Sequence, residues 1–125
     1  MEFYDVKFKK KFGQNFLRND YIVRRIVNSA EIEDNSLVIE VGPGGAIMTR
    51  ELARVAKNVL AYEIDQSLED ELSKRLTGFD NVKVLFQDFL NSDLCNDVAE
   101  YNYDNLYFVS NVPYYITTPI ILKLL

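Results

Sequence analysis

Apolar residues fall in two rhythms along this 125-residue chain. In NDYIVRRIVNSA (19–30), Ile22, Val23, Ile26, Val27 and Ala30 recur at helical spacing, with Asn19 or Asp20 placed to cap the helix. Four short runs behave differently: SLVIEV (36–41), NVLAYEI (58–64), VKVLFQ (82–87) and LYFVS (106–110). They are rich in β-branched and aromatic residues, which predicts buried strands. Residues 46–57 predict a helix between the first two strands. Asp65 predicts the cap of another helix, with Leu68, Leu72 and Leu76 one turn apart and Gly78 ending it. Residues 89–104 read as a loop with a short helix. Thr118 followed by Pro119 predicts an N-cap and first helical position for IILKLL.

Strand, helix, strand, helix, strand, strand is an α/β layout: a parallel sheet with right-handed crossovers, in one domain over residues 1–125. There is no internal repeat, low-complexity segment or linker. In such sheets ligands bind beyond the carboxyl ends of the strands, at the switch point in strand order. The chemically unusual residues all map there. Gly42 follows the first strand, Glu63 ends the second, Asp88 follows the third and Asn111 follows the fourth.

Composition narrows the chemistry. The 48% hydrophobic content supplies a packed core, and folding at this length buries roughly two-thirds of the unfolded chain's surface. A lone cysteine, Cys95, forms no internal disulfide and suits a reducing compartment. No run approaches the roughly 18 apolar residues of a membrane span, and no apolar signal-peptide centre opens the chain. The expectation is a soluble cytoplasmic protein. Histidine is absent, so Ser/His/Asp and zinc chemistry lose their usual parts. The net charge of −5 is uneven: residues 1–25 carry seven basic and three acidic side chains, the rest seven and sixteen. An acidic body disfavours broad polyanion binding, while the basic head is suited to local phosphate contact.

EVGPGGA (40–46) is a glycine turn between strand and helix. Gly42 permits a tight turn, Gly44 and Gly45 let a ligand approach the backbone, and Ala46 leaves room for close helix packing. A P-loop is excluded because no Gly-Lys-Ser/Thr follows. Glu63 lies 21 residues after Gly42, where an acid accepts hydrogen bonds from ribose hydroxyls. Asp88 is suited either to an adenine amino group or to capping a turn. In NVPY (111–114), the Asn111 side-chain oxygen and the Val112 carbonyl provide two acceptors for an exocyclic purine amine. Pro113 stiffens the loop and Tyr114 offers a stacking face. An adenosine-bearing cofactor and a purine acceptor fit these residue types together.

KKFGQNFL (10–17), VIEVGPGGAIMTREL (38–52), YEID (62–65), QDFL (87–90) and NVPYYITTPI (111–120) resemble the ribosomal RNA adenine N6,N6-dimethyltransferases, most closely the small-subunit type. The motifs follow family order across essentially the whole chain. The resemblance implies a Rossmann-like class I methyltransferase sheet, here about four parallel strands, using S-adenosyl-L-methionine. It also implies dimethylation of two adjacent adenosines near the 3′ end of small-subunit rRNA, in ribosome biogenesis. Cofactor contacts carry over to Asn15, Leu17, Gly42, Gly44, Glu63, Asp88 and Asn111. Asn111, Val112, Pro113 and Tyr114 carry over as the catalytic loop, and Lys9, Lys10 and Lys11 as RNA contacts; no metal is implied. Departures are Val112 and Tyr115, where the family often has Leu and Asn, and Ala46, where it often has Gly.

Relatives in the family have a seven-stranded sheet and a further helical domain that helps grip RNA, so the isolated 125 residues are expected to be inactive alone. The fourth strand would then be an exposed apolar edge open to self-association. Three alternatives stand beside this reading. One is a large-subunit adenine methyltransferase conferring antibiotic resistance, and another a non-catalytic RNA-docking or assembly module. The third, an NAD-binding domain, would leave Asp88 and NVPY without a role.

Overall fold

In the computed structural model, residues 20–111 and 119–124 are described. The elements in chain order are α1 (Asp20–Ser29), β1 (Ser36–Val41), α2 (Ile47–Val55) and β2 (Asn58–Tyr62). A single 3-10 turn (Gln66–Leu68) leads into α3 (Glu69–Arg75), followed by β3 (Val82–Leu85). A second 3-10 turn (Phe89–Asn91), α4 (Leu94–Val98), β4 (Asn105–Asn111) and β5 (Pro119–Leu124) complete the set. The sheet order is β3-β2-β1-β4-β5, with the first four strands parallel and β5 antiparallel to β4.

β1 and β2 bury both faces, and β4 buries one fully and the other in part, which is why their sequences are continuous apolar runs. Period-two alternation sorts the side chains. Val38, Val59, Tyr107 and Val109 join Val23, Ile26 and Val27 of α1 and Met48, Leu52 and Ala53 of α2 in one core layer. Leu37, Ile39, Leu60 and Tyr62 form the other, with Phe89, Leu94, Val98 and Phe108 packed against them. Order reverses between β1 and β4, so the switch point falls where the glycine turn leaves β1.

Polar tethers fix the helices. Asn81 donates its amide to the carbonyls of Ala53, Ala56 and Lys57, closing the end of α2 (2.9–3.3 Å). The nearly buried Glu51 of α2 takes Arg24 of α1 at 3.0 Å and Arg54 of its own helix. Asp65 accepts from the Ser67 amide at 3.0 Å and so caps the 3-10 turn preceding α3, whose Leu72 is buried.

Two expectations are corrected. Pro119–Leu124 is a strand, not a helix. Six residues give a helix too few bonds to repay its nucleation, whereas the antiparallel ladder runs from Asn111↔Pro119 to Leu106↔Leu124. Pro119 opens the strand, the position at which the missing N–H is tolerated. β4 is therefore not an exposed edge: β5 covers it, and among the described residues the open edges are β3 and β5. The sheet gains an antiparallel fifth strand beside the four parallel ones. Smaller differences are at the ends: α2 is shorter than 46–57, β2 stops at Tyr62 and β3 at Leu85. No helix among the described residues is long and apolar enough to cross a membrane.

Glu51 generates a pH prediction. Burial pushes its carboxyl up, but the bonds from Arg24 and Arg54 outweigh that and hold it below its ordinary value of 4.5. A depressed folded-state pKa adds stability that is present above the unfolded value and lost as pH falls through the folded one. Denaturant titrations from about pH 7 to about pH 3 should show stability falling below the ordinary carboxylate range. Glu51→Gln should flatten that part of the fall; an unchanged acid limb in the variant would assign it to other carboxylates.

Candidate adenosyl and purine site at the carboxyl rim

Strand register sets the site. Val41 of β1 is level with Tyr62 of β2 and Ser110 of β4, and Tyr62 is level with Leu85 of β3. Gly42, Glu63 and Asn111 thus each stand one residue beyond a common row. At about 4.8 Å per strand, Asn111 and Glu63 flank Gly42 across about 10 Å. Asp88 lies three residues past Leu85 on the same rim. The structure brings these four positions to one edge. Of Asn111 it describes the backbone, as the last residue of β4 opposite Pro119. Asn15, Leu17, Lys9, Lys10, Lys11, Val112, Pro113 and Tyr114 lie outside the described residues.

The glycine turn is held open by backbone geometry. Gly42 has φ 80° and Gly44 φ 54°, in the left-handed region that glycine enters freely. The Gly42 amide donates to the Tyr62 carbonyl at 2.9 Å and the Ala46 amide to the Pro43 carbonyl at 2.8 Å. A Cβ built on Gly44 meets nothing within 4 Å, so the space before it is open. Arg75 of α3 braces the far end, donating to the Gly45 carbonyl at 3.4 Å while paired to Glu71 at 3.0 Å. Ala46 is the surprise: it is buried with φ 67°, an unfavourable conformation for a residue with a Cβ.

Glu63 is buried and bonded twice. Its Oε1 accepts the Gly44 amide at 3.3 Å and its Oε2 the Asp65 amide at 3.0 Å. These bonds tie the loop after β1 to the loop after β2, and a carboxylate with roughly four acceptor positions retains capacity for hydroxyl donors. Asp88 caps its turn, accepting the Leu90 amide at 3.0 Å through Oδ1, with Oδ2 only 3.4 Å from the Asn91 side-chain amide. Of the two roles the sequence offered Asp88, the structure shows the cap, and the second oxygen is weakly engaged.

Three residues at or beside the rim escaped the sequence reading. Ile64 is 71% exposed and Leu90 87%, next to Glu63 and two residues from Asp88. Large apolar side chains held in water near two acids in the chain are suited to contact with a planar ring that has polar edges. Their signal was adjacency to the acids in YEID and QDFL. Glu40, inside β1, is fully buried and accepts a 2.5 Å bond from the equally buried Thr49 hydroxyl of α2. An acid within an apolar strand run was its signal, because a buried charge requires partners. Glu40 and Thr49 fasten β1 to α2 on either side of the glycine turn. Acidic side chains, exposed apolar side chains and an open backbone along one rim fit an adenosyl group.

Ala46 separates strain from packing. Ala46→Gly releases about 1–2 kcal/mol of left-handed strain, loses about 0.8 kcal/mol of methyl burial, and adds chain entropy of about 0.5–1 kcal/mol. The sum should leave denaturant stability within about 1 kcal/mol of the parent. Ala46→Val meets strain and crowding together and should cost at least about 2 kcal/mol. A well-tolerated valine would mean the turn does not hold this backbone.

The family model for ribosomal RNA adenine dimethylase matches residues 5–125. The chain is 48% identical over 124 residues to the Ribosomal RNA small subunit methyltransferase A of Leuconostoc mesenteroides, and 46% to that of Macrococcus caseolyticus. Each match covers 98% of this chain and 42% of the relative, so the chain spans less than half of either. Among solved structures it is similar to the 23S rRNA methyltransferase ErmE, with 29% identity, TM-score 0.58, and 78% and 48% of the two chains covered. A dimethyladenosine transferase from Plasmodium falciparum shares the fold at 21% identity and TM-score 0.54, covering 74% and 42%. The chain is a member of the ribosomal RNA adenine dimethylase family.

Proposed function

We propose that this chain is the cofactor-binding part of an S-adenosyl-L-methionine-dependent enzyme that dimethylates N6 of two adjacent adenosines near the 3′ end of small-subunit rRNA. The observation that carries this reading is the convergence of Gly42, Glu63, Asp88 and Asn111 on one rim, with Ile64 and Leu90 exposed beside the two acids. Glu63 accepts the ribose hydroxyls, and Asp88 Oδ2 accepts the adenine amine. Ile64 and Leu90 sandwich the ring, and the open backbone at Gly44 faces the methionine end; Asn15 and Leu17 are further cofactor contacts. When bound, the cofactor supplies an electrophilic methyl group.

The chain's own contribution is positioning and charge complementarity. Asn111 and the Val112 carbonyl orient the two N–H bonds of the target amine, while Pro113 and Tyr114 hold the base, which leaves its stack at a cost of a few kcal/mol. Asn111 and Val112 would hold the amine where the cofactor, when bound, would supply its methyl group, and the amine proton would pass to water. No histidine is needed. Lys9, Lys10 and Lys11 contact rRNA phosphates, and the partner is the immature small ribosomal subunit in the cytoplasm. The lower identity to ErmE than to the small-subunit relatives favours this target over the large-subunit alternative.

Calorimetric titration with S-adenosyl-L-methionine should give binding to this chain that Asp88→Asn weakens about ten-fold, since asparagine keeps the turn cap but not the charged acceptor. Leu90→Ala should weaken it several-fold, and NAD should not bind. Binding of NAD in its place, or indifference to Asp88→Asn, would sink the site. In the longer protein, immature small subunits should be methylated and Asn111→Ala should abolish that methylation; turnover retained in the variant would remove Asn111 from the chemistry, and a parent without turnover would leave a docking module.

A further inference from the structure

Tyr21 of α1, 66% exposed, joins Ile64 and Leu90 as the exposed large apolar side chains among the described residues. One turn on, the Arg25 guanidinium lies over its ring, 5.9 Å from the centre. Arg24, on the adjoining exposed face, is directed onto Glu51 and remains half in solvent. We propose that this outer strip of α1 is a docking surface for single-stranded RNA flanking the target adenosine; the proposal rests on the reading of the chain as an RNA adenine methyltransferase.

Position supports it. Val23, Ile26 and Val27 of α1 share one core layer with Tyr107 and Val109 of β4, the strand that ends at Asn111. Because α1 leads into β1 at the sheet's amino-terminal edge, its first turn, with Tyr21, lies toward the carboxyl rim where β4 delivers the base-receiving loop. Charge supports it independently. α1 and α2 carry four arginines (24, 25, 50 and 54) against two acids (Asp20 and Glu51). Residues 65–85, which carry α3 and β3 at the opposite edge of the sheet, hold five acids against three bases. A polyanion is repelled from the β3 flank and admitted beside β4. A stacked tyrosine–arginine pair then offers what an unpaired nucleotide needs, an aromatic face for the base and a cation for the phosphate.

The test is fluorescence anisotropy of this chain with a labelled purine-rich RNA of about ten nucleotides across a salt series, each variant also titrated calorimetrically with S-adenosylhomocysteine. Tyr21→Ala should weaken RNA binding on the order of ten-fold and Tyr21→Phe should restore it. Arg25→Gln should weaken it and lower the salt slope by about one. Lys74→Gln, the same charge change on the acidic flank, should stay within about two-fold. S-adenosylhomocysteine affinity should be equal in all four variants. Absence of RNA binding, or parental affinity in both Tyr21→Ala and Arg25→Gln, overturns the strip. Absence of S-adenosylhomocysteine binding by the parent chain overturns the enzyme reading instead, and with it the base for the strip.

Discussion

A single buried carboxylate holds the rim together. Glu63 accepts one backbone amide from the loop after β1 and one from the loop after β2, so two segments that share no covalent connection at that height move as one. Bonds to an ionised acceptor are worth about 1.5–3 kcal/mol each, more than a neutral turn bond supplies. The ladder adds to this: the Gly42 amide reaches Tyr62 and the Glu63 amide reaches Leu85, both at 2.9 Å, carrying sheet pairing one residue beyond the strands. The glycine turn is therefore held in place before any ligand arrives, which lowers the ordering cost of binding.

Beneath that rim, the second core layer couples the remaining loops. Phe89, next to the capping Asp88, packs edge-on to Tyr62 with ring centres 5.1 Å apart and lies 5.4 Å from Phe108 of β4. The turn bearing Asp88 and Leu90 is thus wedged between β2 and the strand that ends at Asn111. Tyr62 donates its hydroxyl to Asp97 of α4 at 2.6 Å. Burial first, then the Asp97 carboxylate, raises the phenol's pKa well above its ordinary value of 10.0, so the hydroxyl stays a donor and α4 stays pinned. One chain of contacts runs from the turn bearing Asp88 to the strand that ends at Asn111.

Much of this was legible because both sheet faces are buried. Continuous β-branched runs marked β1 through β4, and β1 was bounded at Ser36 and Val41 as found. The rim positions followed from topology, since parallel strands must end together. The missed features are those that local pattern cannot encode. Ala46 adopts a left-handed backbone because the turn and α2 demand it, against the preference of its own Cβ. Ile64 and Leu90 resemble ordinary core residues in sequence, and only exposure distinguishes them. Glu63 and Asp88 were read as ligand acceptors, and backbone amides within reach gave both a structural duty as well.

β5 shows how narrowly local and non-local forces are balanced. Thr118–Pro119 is a sound helix start, and Ile120–Leu125 contains nothing that forbids a helix. Six helical residues, however, close only about two i→i−4 bonds after meeting the nucleation cost. Beside them lies the outer edge of β4, a row of unpaired amides and carbonyls along an apolar strand, and the antiparallel ladder satisfies both partners over six residue pairs. The strand wins through that edge rather than through its own propensity. Anything else that paired with β4 there would remove the reason for the ladder, and the same residues would again answer to their own cap.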